Sequence, residues 1–188
     1  GLIAFPASLS SEMAKHEHTP PLAPSYLTEA KRAMDFAVEK AGDAKKIKAA
    51  VVYQKDDYGM DGLNGWKEAA KHHGVEVVSE HTVDPGQKDV TAIITALKDK
   101  KATHVFLAVL PSSTAPILGT AAQAKYMPMW LGATPTWNDA FFSGVLPAPV
   151  LANFHWITGL PYWGEDIAGM KEFTAAFEKH GKDMGKPD

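Results

Sequence analysis

With 188 residues, 45% of them hydrophobic and 22% charged, the chain has enough apolar material for one sizeable core and is not composed like a disordered tail. A net charge of −3 and an isoelectric point near 6.2, with both signs mixed along the chain, leave no basic footprint for nucleic acid or an anionic membrane. The absence of cysteine excludes zinc–thiolate sites, thiol nucleophiles and disulfides together, and no apolar run reaches the roughly 20 residues of a membrane-spanning helix.

Leu2 to Phe5 reads as a short strand closed by Pro6, followed by a hydroxyl-rich loop from Ala7 to Ser11. The opening residues carry no basic region, so no signal peptide is expected within them. A strand is not stable alone, and no partner for this one is evident nearby, so the chain is expected to begin inside a larger protein. Residues 16–25, with Pro20, Pro21 and Pro24, should form an extended connector. His16 and His18 within it lack a third donor and read as solvated rather than as metal ligands.

Thr28 to about Lys40 brings Ala30, Met34, Ala37 and Val38 into helical register, with Thr28 or Ser25 as N-cap and Gly42 beyond the end. Ala49 to Tyr53 is an apolar run without alternation, as expected of a central strand covered on both faces of a parallel sheet. Met60, Leu63, Trp66 and Ala70 then recur at spacings of three and four, predicting a helix to about His73 that Gly74 stops. Val75 to Ser79 is a second strand, Asp84-Pro85-Gly86 a turn, and Val90, Ile93, Ile94 and Leu97 a helix face. His104 to Leu110 is a third strand; Ser112 or Ser113 caps a helix with Ile117, Leu118, Ala121 and Ala122 on its buried stripe. Met129 to Gly132 is a fourth strand, Ala133 to Trp137 a loop, Asn138 to Ser143 a short helix and Phe154 to Leu160 a fifth strand. Glu165 or Asp166 starts a last helix, ending before Gly181, whose Met170, Phe173, Ala176 and Phe177 face inward.

Strands alternating with helices specify an α/β fold: a doubly wound parallel sheet with helices on both faces. Sheets of this kind bind ligands outside the carboxyl ends of their strands, which here includes the loop Gln54 to Gly59.

Several chemical patterns fail on spacing. Asp56 and Asp57 are adjacent, point apart and do not make an acid–base pair. Gly59, Gly62 and Gly65 follow a strand and open a helix, yet lack the Gly-x-Gly that brings backbone close to a pyrophosphate, so a dinucleotide-dependent enzyme is only the alternative. His72 and His73 cannot share a ligand face and read as solvated. Ser8 to Ser11 lack the frame of a nucleophile elbow. No catalytic residue, cofactor site or metal site is expected.

The ordered set Val51-Val-Tyr-Gln-Lys-Asp-Asp-Tyr-Gly59, Gly74-Val-Glu-Val-Val78, Asp84-Pro-Gly86, Lys88-Asp-Val90, Val105-Phe-Leu107 and Trp130-Leu-Gly132 resembles the type I solute-binding proteins of ABC importers, in the group built around branched-chain amino acid binders. The likeness covers about residues 45–135 and extends more weakly to both ends. It implies two α/β lobes that clamp a small-molecule solute, with residues 1–27 as a first-lobe remnant (strand, ligand loop and connector) and residues 28–188 as the second-lobe domain. It further implies a periplasmic location, or an extracellular lipoprotein in a Gram-positive organism, and ABC permease subunits in the membrane as partners. The same fold also serves ligand-sensing domains of receptors and regulators. A lone lobe could dimerise through its uncovered cleft edge.

Carried onto this chain, the family's binding positions become Tyr58, Leu110, Ser112, Ala133 and Thr134, with Ser8 and Ser10 on the remnant; Trp137 adds a stacking wall beside them. The family's acidic ammonium ligands fall at Pro24 and Thr134, neither of which is acidic. A buried ammonium without a counter-charge is costly, so the resemblance implies a carboxylate, an aromatic or aliphatic acid, or an amide ahead of an α-amino acid.

Overall fold

The computed structural model describes residues 3–181. Its strands are β1 Lys48–Tyr53, β2 Glu76–Thr82, β3 His104–Ala108, β4 Met129–Gly132 and β5 Phe154–Trp156, and its helices α1 Tyr26–Ala41, α2 Asp57–His73, α3 Thr91–Asp99, α4 Pro111–Gln123, α5 Ala148–Leu151 and α6 Ala168–His180. The strands form one five-stranded sheet in the order β2-β1-β3-β4-β5, every neighbouring pair parallel.

The apolar run in β1 is uninterrupted because both of its faces are covered. Ala49 and Val51 pack with Phe106, Ala108 and Leu131 beneath α1 and α2, whereas Ala50 and Val52 pack with Val105, Leu107 and Trp130 beneath α3 and α4. On the first face Trp66 of α2 stacks on Phe106 of β3, ring centroids 5.2 Å apart at 15°. On the second, Val90, Ile93, Ile94 and Leu97 are all buried, as their spacing requires. Ser25 caps α1 by accepting from the Thr28 amide, and Gly42 and Gly74 close α1 and α2 at φ of 67° and 68°.

The glycines of α2 are packing residues. A Cβ on Gly62 would lie 2.4 Å from the Ala108 Cβ, and one on Gly65 would lie 2.2 Å from the Leu27 carbonyl oxygen of α1. They lie in the helix interior, pressed on β3 and α1, so they are not a phosphate-binding turn and the dinucleotide alternative loses its motif.

Several expectations are corrected. Residues 3–5 are not a strand, and Leu2 lies outside the described residues; Ala4 donates its amide to the His18 carbonyl instead. The third and fifth strands end at Ala108 and Trp156 rather than Leu110 and Leu160. Pro111 occupies the first turn of α4 with Leu110 as N-cap, while the Ser113 hydroxyl turns inward to accept from the Gly86 amide at 3.1 Å, so neither serine caps the helix. Met60 is 42% exposed, and Asp61 takes the buried position beside it. His73 is not free in solvent: its Nε2 lies 2.7 Å from Asp35 Oδ1 on α1. The last helix begins at Ala168 with no side-chain cap, and only Met170 on it is buried. Phe173 is 54% exposed and Ala176 is exposed; Phe173 and Phe177 pack edge-on against Trp163 instead of the sheet.

Replacing Gly62 by alanine sets an overpacking cost of about 1–3 kcal/mol against a helix-propensity gain of about 1 kcal/mol. Gly119 in α4, where an added Cβ meets nothing within 4 Å, carries only the gain. Urea unfolding should show Gly62→Ala less stable and Gly119→Ala as stable as wild type or more so.

Candidate ligand-binding edge

Because the sheet is parallel, the loops following β1, β3, β4 and β5 emerge at one edge. The chain order reverses at β1 and β3: α2 leaves β1 for one face and α4 leaves β3 for the other, which opens a crevice between two adjacent strand ends. Gln54, 3% exposed, ties these ends together. Its amide donates to the Ala108 carbonyl at 3.1 Å, its Oε1 accepts from the Leu110 amide at 3.2 Å, and its Nε2 donates to Asp56. Asp56 in turn caps α2 by accepting from the Gly59 amide at 2.8 Å, so its carboxylate is a cap and not a free base.

Tyr58 turns inward from the start of α2. It is 7% exposed, sits edge-on to Tyr26 with centroids 4.7 Å apart, and its hydroxyl lies 2.9 Å from Thr136 Oγ1. Burial pushes its pKa far above the usual phenol value, with the nearby Glu29 charge adding to the rise, so the hydroxyl stays protonated. Thr136 passes the connection on by donating to the Leu107 carbonyl at 3.1 Å, while Thr114 of α4 donates to the Thr136 carbonyl at 3.1 Å. This hydroxyl set pins the loop after β4 to the ends of β1 and β3.

Glu29 of α1 does the same for β4 and β5. It is 2% exposed; its Oε2 accepts from the Thr134 amide at 2.9 Å, and its Oε1 accepts from the Thr134 hydroxyl at 2.5 Å and the Gly159 amide at 3.3 Å. No ion pair to Glu29 occurs among the described residues. Burial raises its pKa, and the three hydrogen bonds work against that rise without cancelling it. The carboxylate also borders a hollow of about 580 Å³ between α1 and β5 that reaches Pro24, Arg32, Phe36 and His155.

Beyond β4 and β5 the edge is aromatic. Trp137 stacks on Phe154 at 5.6 Å and lies 6.3 Å from Trp156, which meets Tyr162 edge-on at 6.2 Å. Two hollows of about 490 and 580 Å³ share Trp137, Trp156, Thr158 and Tyr162 as walls.

The model of the family described as "Periplasmic binding protein" matches residues 1–188. The chain belongs to the periplasmic binding protein family. No curated protein matches the chain at a significant level. Among solved structures it is similar to a fatty acid ABC transporter substrate-binding protein from Thermomonospora curvata, with a TM-score of 0.83 and 22% identity over 96% of this chain and 46% of that one. It is also similar to a branched-chain amino acid ABC transporter protein from Thermus thermophilus with bound valine, with a TM-score of 0.78 and 21% identity over 100% of this chain and 47% of that one. A solute binding protein from R. palustris in complex with benzoate gives a TM-score of 0.66 and 18% identity over 86% of this chain and 43% of that one. The chain thus spans less than half the length of these relatives, and its fold is that of a type I periplasmic binding protein.

In this periplasmic binding protein the positions singled out in the sequence lie at the strand-end edge but do not share one hollow. Thr134 and Trp137 border the aromatic hollow, Leu110 and Ser112 stand exposed at the start of α4, and Ala133 is fully buried. Tyr58 is turned into the protein, where its ring fills the space between Tyr26 and Thr136 and its hydroxyl reaches Thr136. Ser8 is exposed and accepts from the Ser10 amide at 3.2 Å. Ser10 is 3% exposed, and its hydroxyl has no partner among the described residues. The segment is held in place by Ser11, whose amide and hydroxyl both donate to Asp61 at 2.6 Å.

Sequence reasoning missed Glu29, Gln54 as a bridge, and Trp156. Glu29 was detectable, since it lies three residues after Tyr26 on the stripe that continues through Ala30, Ala33, Met34 and Ala37. It also brings an acid to Thr134 from a different element, but both of its oxygens are already taken by the Thr134 and Gly159 donors.

Glu29 is an acid whose pKa is raised by folding, so the folded state binds its proton more tightly than the unfolded state, and its contribution to stability falls as pH rises above 4.5. Wild type should therefore lose stability relative to a Glu29→Gln variant as pH is raised from 4.5 towards 7, measured by urea unfolding at each pH. A pH-independent difference between the two would contradict the buried, proton-binding carboxylate.

Proposed function

We propose that this chain is one lobe of the substrate-binding component of an ABC importer, holding a small organic solute non-covalently in a cleft between this edge and a second lobe. The observation that carries the reading is the convergence of the β1, β3 and β4 ends, bearing Tyr58, Leu110, Ser112, Ala133 and Thr134, on one edge of a chain matched by the family over its whole length. Residues 1–27 are read as the first-lobe remnant, with Ser8 and Ser10 brought against the second lobe by the Ser11–Asp61 bonds. Exposed Leu110 and Ser112, with Thr134 and Trp137, are assigned to solute contact, and buried Tyr58 to holding the loop that carries Thr134.

The protein is read as a binder and not an enzyme, because Asp56 and Glu29, two carboxylates at this edge, are taken up by backbone amides in the roles of cap and loop tie. Its partners would be permease subunits in the membrane and its location the periplasm, or the outer cell surface as a lipoprotein. A lone lobe would pair through the same open edge. Related structures named for valine, benzoate and fatty acid support a solute with an apolar body.

Thermal unfolding of the full-length protein across a panel of small acids, amides and amines tests the reading. A true solute at a hundredfold excess over its Kd adds about 2.7 kcal/mol of stability, and Thr134→Ala should weaken it roughly 2- to 10-fold by loss of one hydrogen bond. A panel with no stabilising member counts against the assignment.

A further inference from the structure

The aromatic hollow past β4 and β5 has a chemistry of its own. The smaller of the two hollows, about 490 Å³, is walled by Trp137, Trp156 and Tyr162, with Phe142, 68% exposed, at the rim 5.0 Å from Trp137; Asp139 lines the neighbouring hollow behind the same rings. The polar edge of each wall is engaged elsewhere. Trp137 Nε1 donates to Asp139 Oδ1 at 2.7 Å, the Tyr162 hydroxyl donates to Asp139 Oδ2 at 2.8 Å, and Trp156 Nε1 donates to the Thr134 carbonyl at 3.1 Å. One carboxylate therefore sets the rotation of two rings, and the three ring donors are not free to meet a ligand.

No lysine, arginine or histidine lines either hollow among the described residues; the charged lining groups are Asp139 and Glu165. An anionic head would meet carboxylates here and find no counter-charge. A bare ammonium is strongly hydrated and needs several acceptors, yet among the described residues Glu165 is the one carboxylate lining the smaller hollow, and both oxygens of Asp139, on the neighbouring one, already accept a ring donor. A methylated ammonium has weaker hydration and an apolar surface, and ring faces attract it through their quadrupole while the nearby acids supply negative field. We propose that this hollow is a subsite for a quaternary or methylated ammonium group, enclosed by Trp137, Trp156 and Tyr162 and oriented through Asp139.

The inference rests on the importer reading in taking the hollow as part of the cleft wall, and its test separates the two. Tetramethylammonium, choline, the neutral isostere 3,3-dimethyl-1-butanol and benzoate are titrated into the full-length protein at constant ionic strength, followed by tryptophan fluorescence and calorimetry. The expected result is saturable binding of tetramethylammonium, with choline at least tenfold tighter than the isostere and at least tenfold weaker in Trp156→Leu. Because loss of Trp156 can disturb β5, the exposed-ring variants Tyr162→Leu and Phe142→Ala are measured beside it, with circular dichroism to check the fold. Each should weaken choline severalfold more than it weakens the isostere. Equal affinity for the neutral isostere, preference for benzoate, or no saturable signal overturns the subsite. If a panel solute stabilises the protein while tetramethylammonium does not bind, the subsite fails and the importer reading stands.

Discussion

The covering of β1 on both faces is the constraint from which the rest of the molecule follows. A strand with an unbroken run of buried apolar side chains, Ala49 to Val52, needs a helical layer above and below, and in a parallel sheet those layers are supplied by the crossovers themselves. With α1 and α2 on one side and α3 and α4 on the other, the chain must change direction at β1. The change of direction separates α2 from α4 and leaves the ends of β1 and β3 side by side without a helix between them. The crevice at this edge is therefore a consequence of core formation.

Holding that edge in shape is a separate physical problem, because loops after strand ends have no ladder of their own. The solution here is a set of buried polar groups that reach from one element to the next: Gln54 between the ends of β1 and β3, Tyr58 and Thr114 to Thr136, and Glu29 to the loops after β4 and β5. Buried hydrogen bonds of this kind give only modest net stability, but leaving one member unpaired is expensive. They therefore act mainly to exclude other loop positions. Glu29 is the extreme case, a carboxylate out of water with backbone and hydroxyl donors but no cation among the described residues.

The glycines of α2 show how packing can imitate a functional pattern. Gly59, Gly62 and Gly65 recur every three residues, so they lie along one side of the helix, where Gly62 meets β3 and Gly65 meets α1. Side chains there would push α2 off the sheet. Close approach of backbone to backbone and close approach of backbone to a ligand both select glycine, and only the neighbouring atoms tell the two apart.

Much of the fold was legible in the residues because it depends on local periodicity. The run Ala49 to Tyr53, the spacing of Val90, Ile93, Ile94 and Leu97, and the stops at Gly42 and Gly74 each act within one or two turns of chain. Met129 to Gly132 was placed to the residue. The errors fell where a distant contact outweighed a local preference: Ser113 turned from cap to partner of Gly86, β5 stopped short as the following segment turned to bring the Gly159 amide to Glu29, and α6 kept Phe173 and Phe177 for Trp163 rather than the sheet. For the site, the sequence alone determined which loops reach the edge, since strand direction and order follow from the alternation of elements. Only the tertiary structure decided which side chains face it: Tyr58 turned inward, Glu29 arriving from α1, and Trp156 of β5 meeting Trp137 from one loop and Tyr162 from another. Those contacts join residues far apart in the chain, and no local pattern encodes a distance between elements until the core has set it.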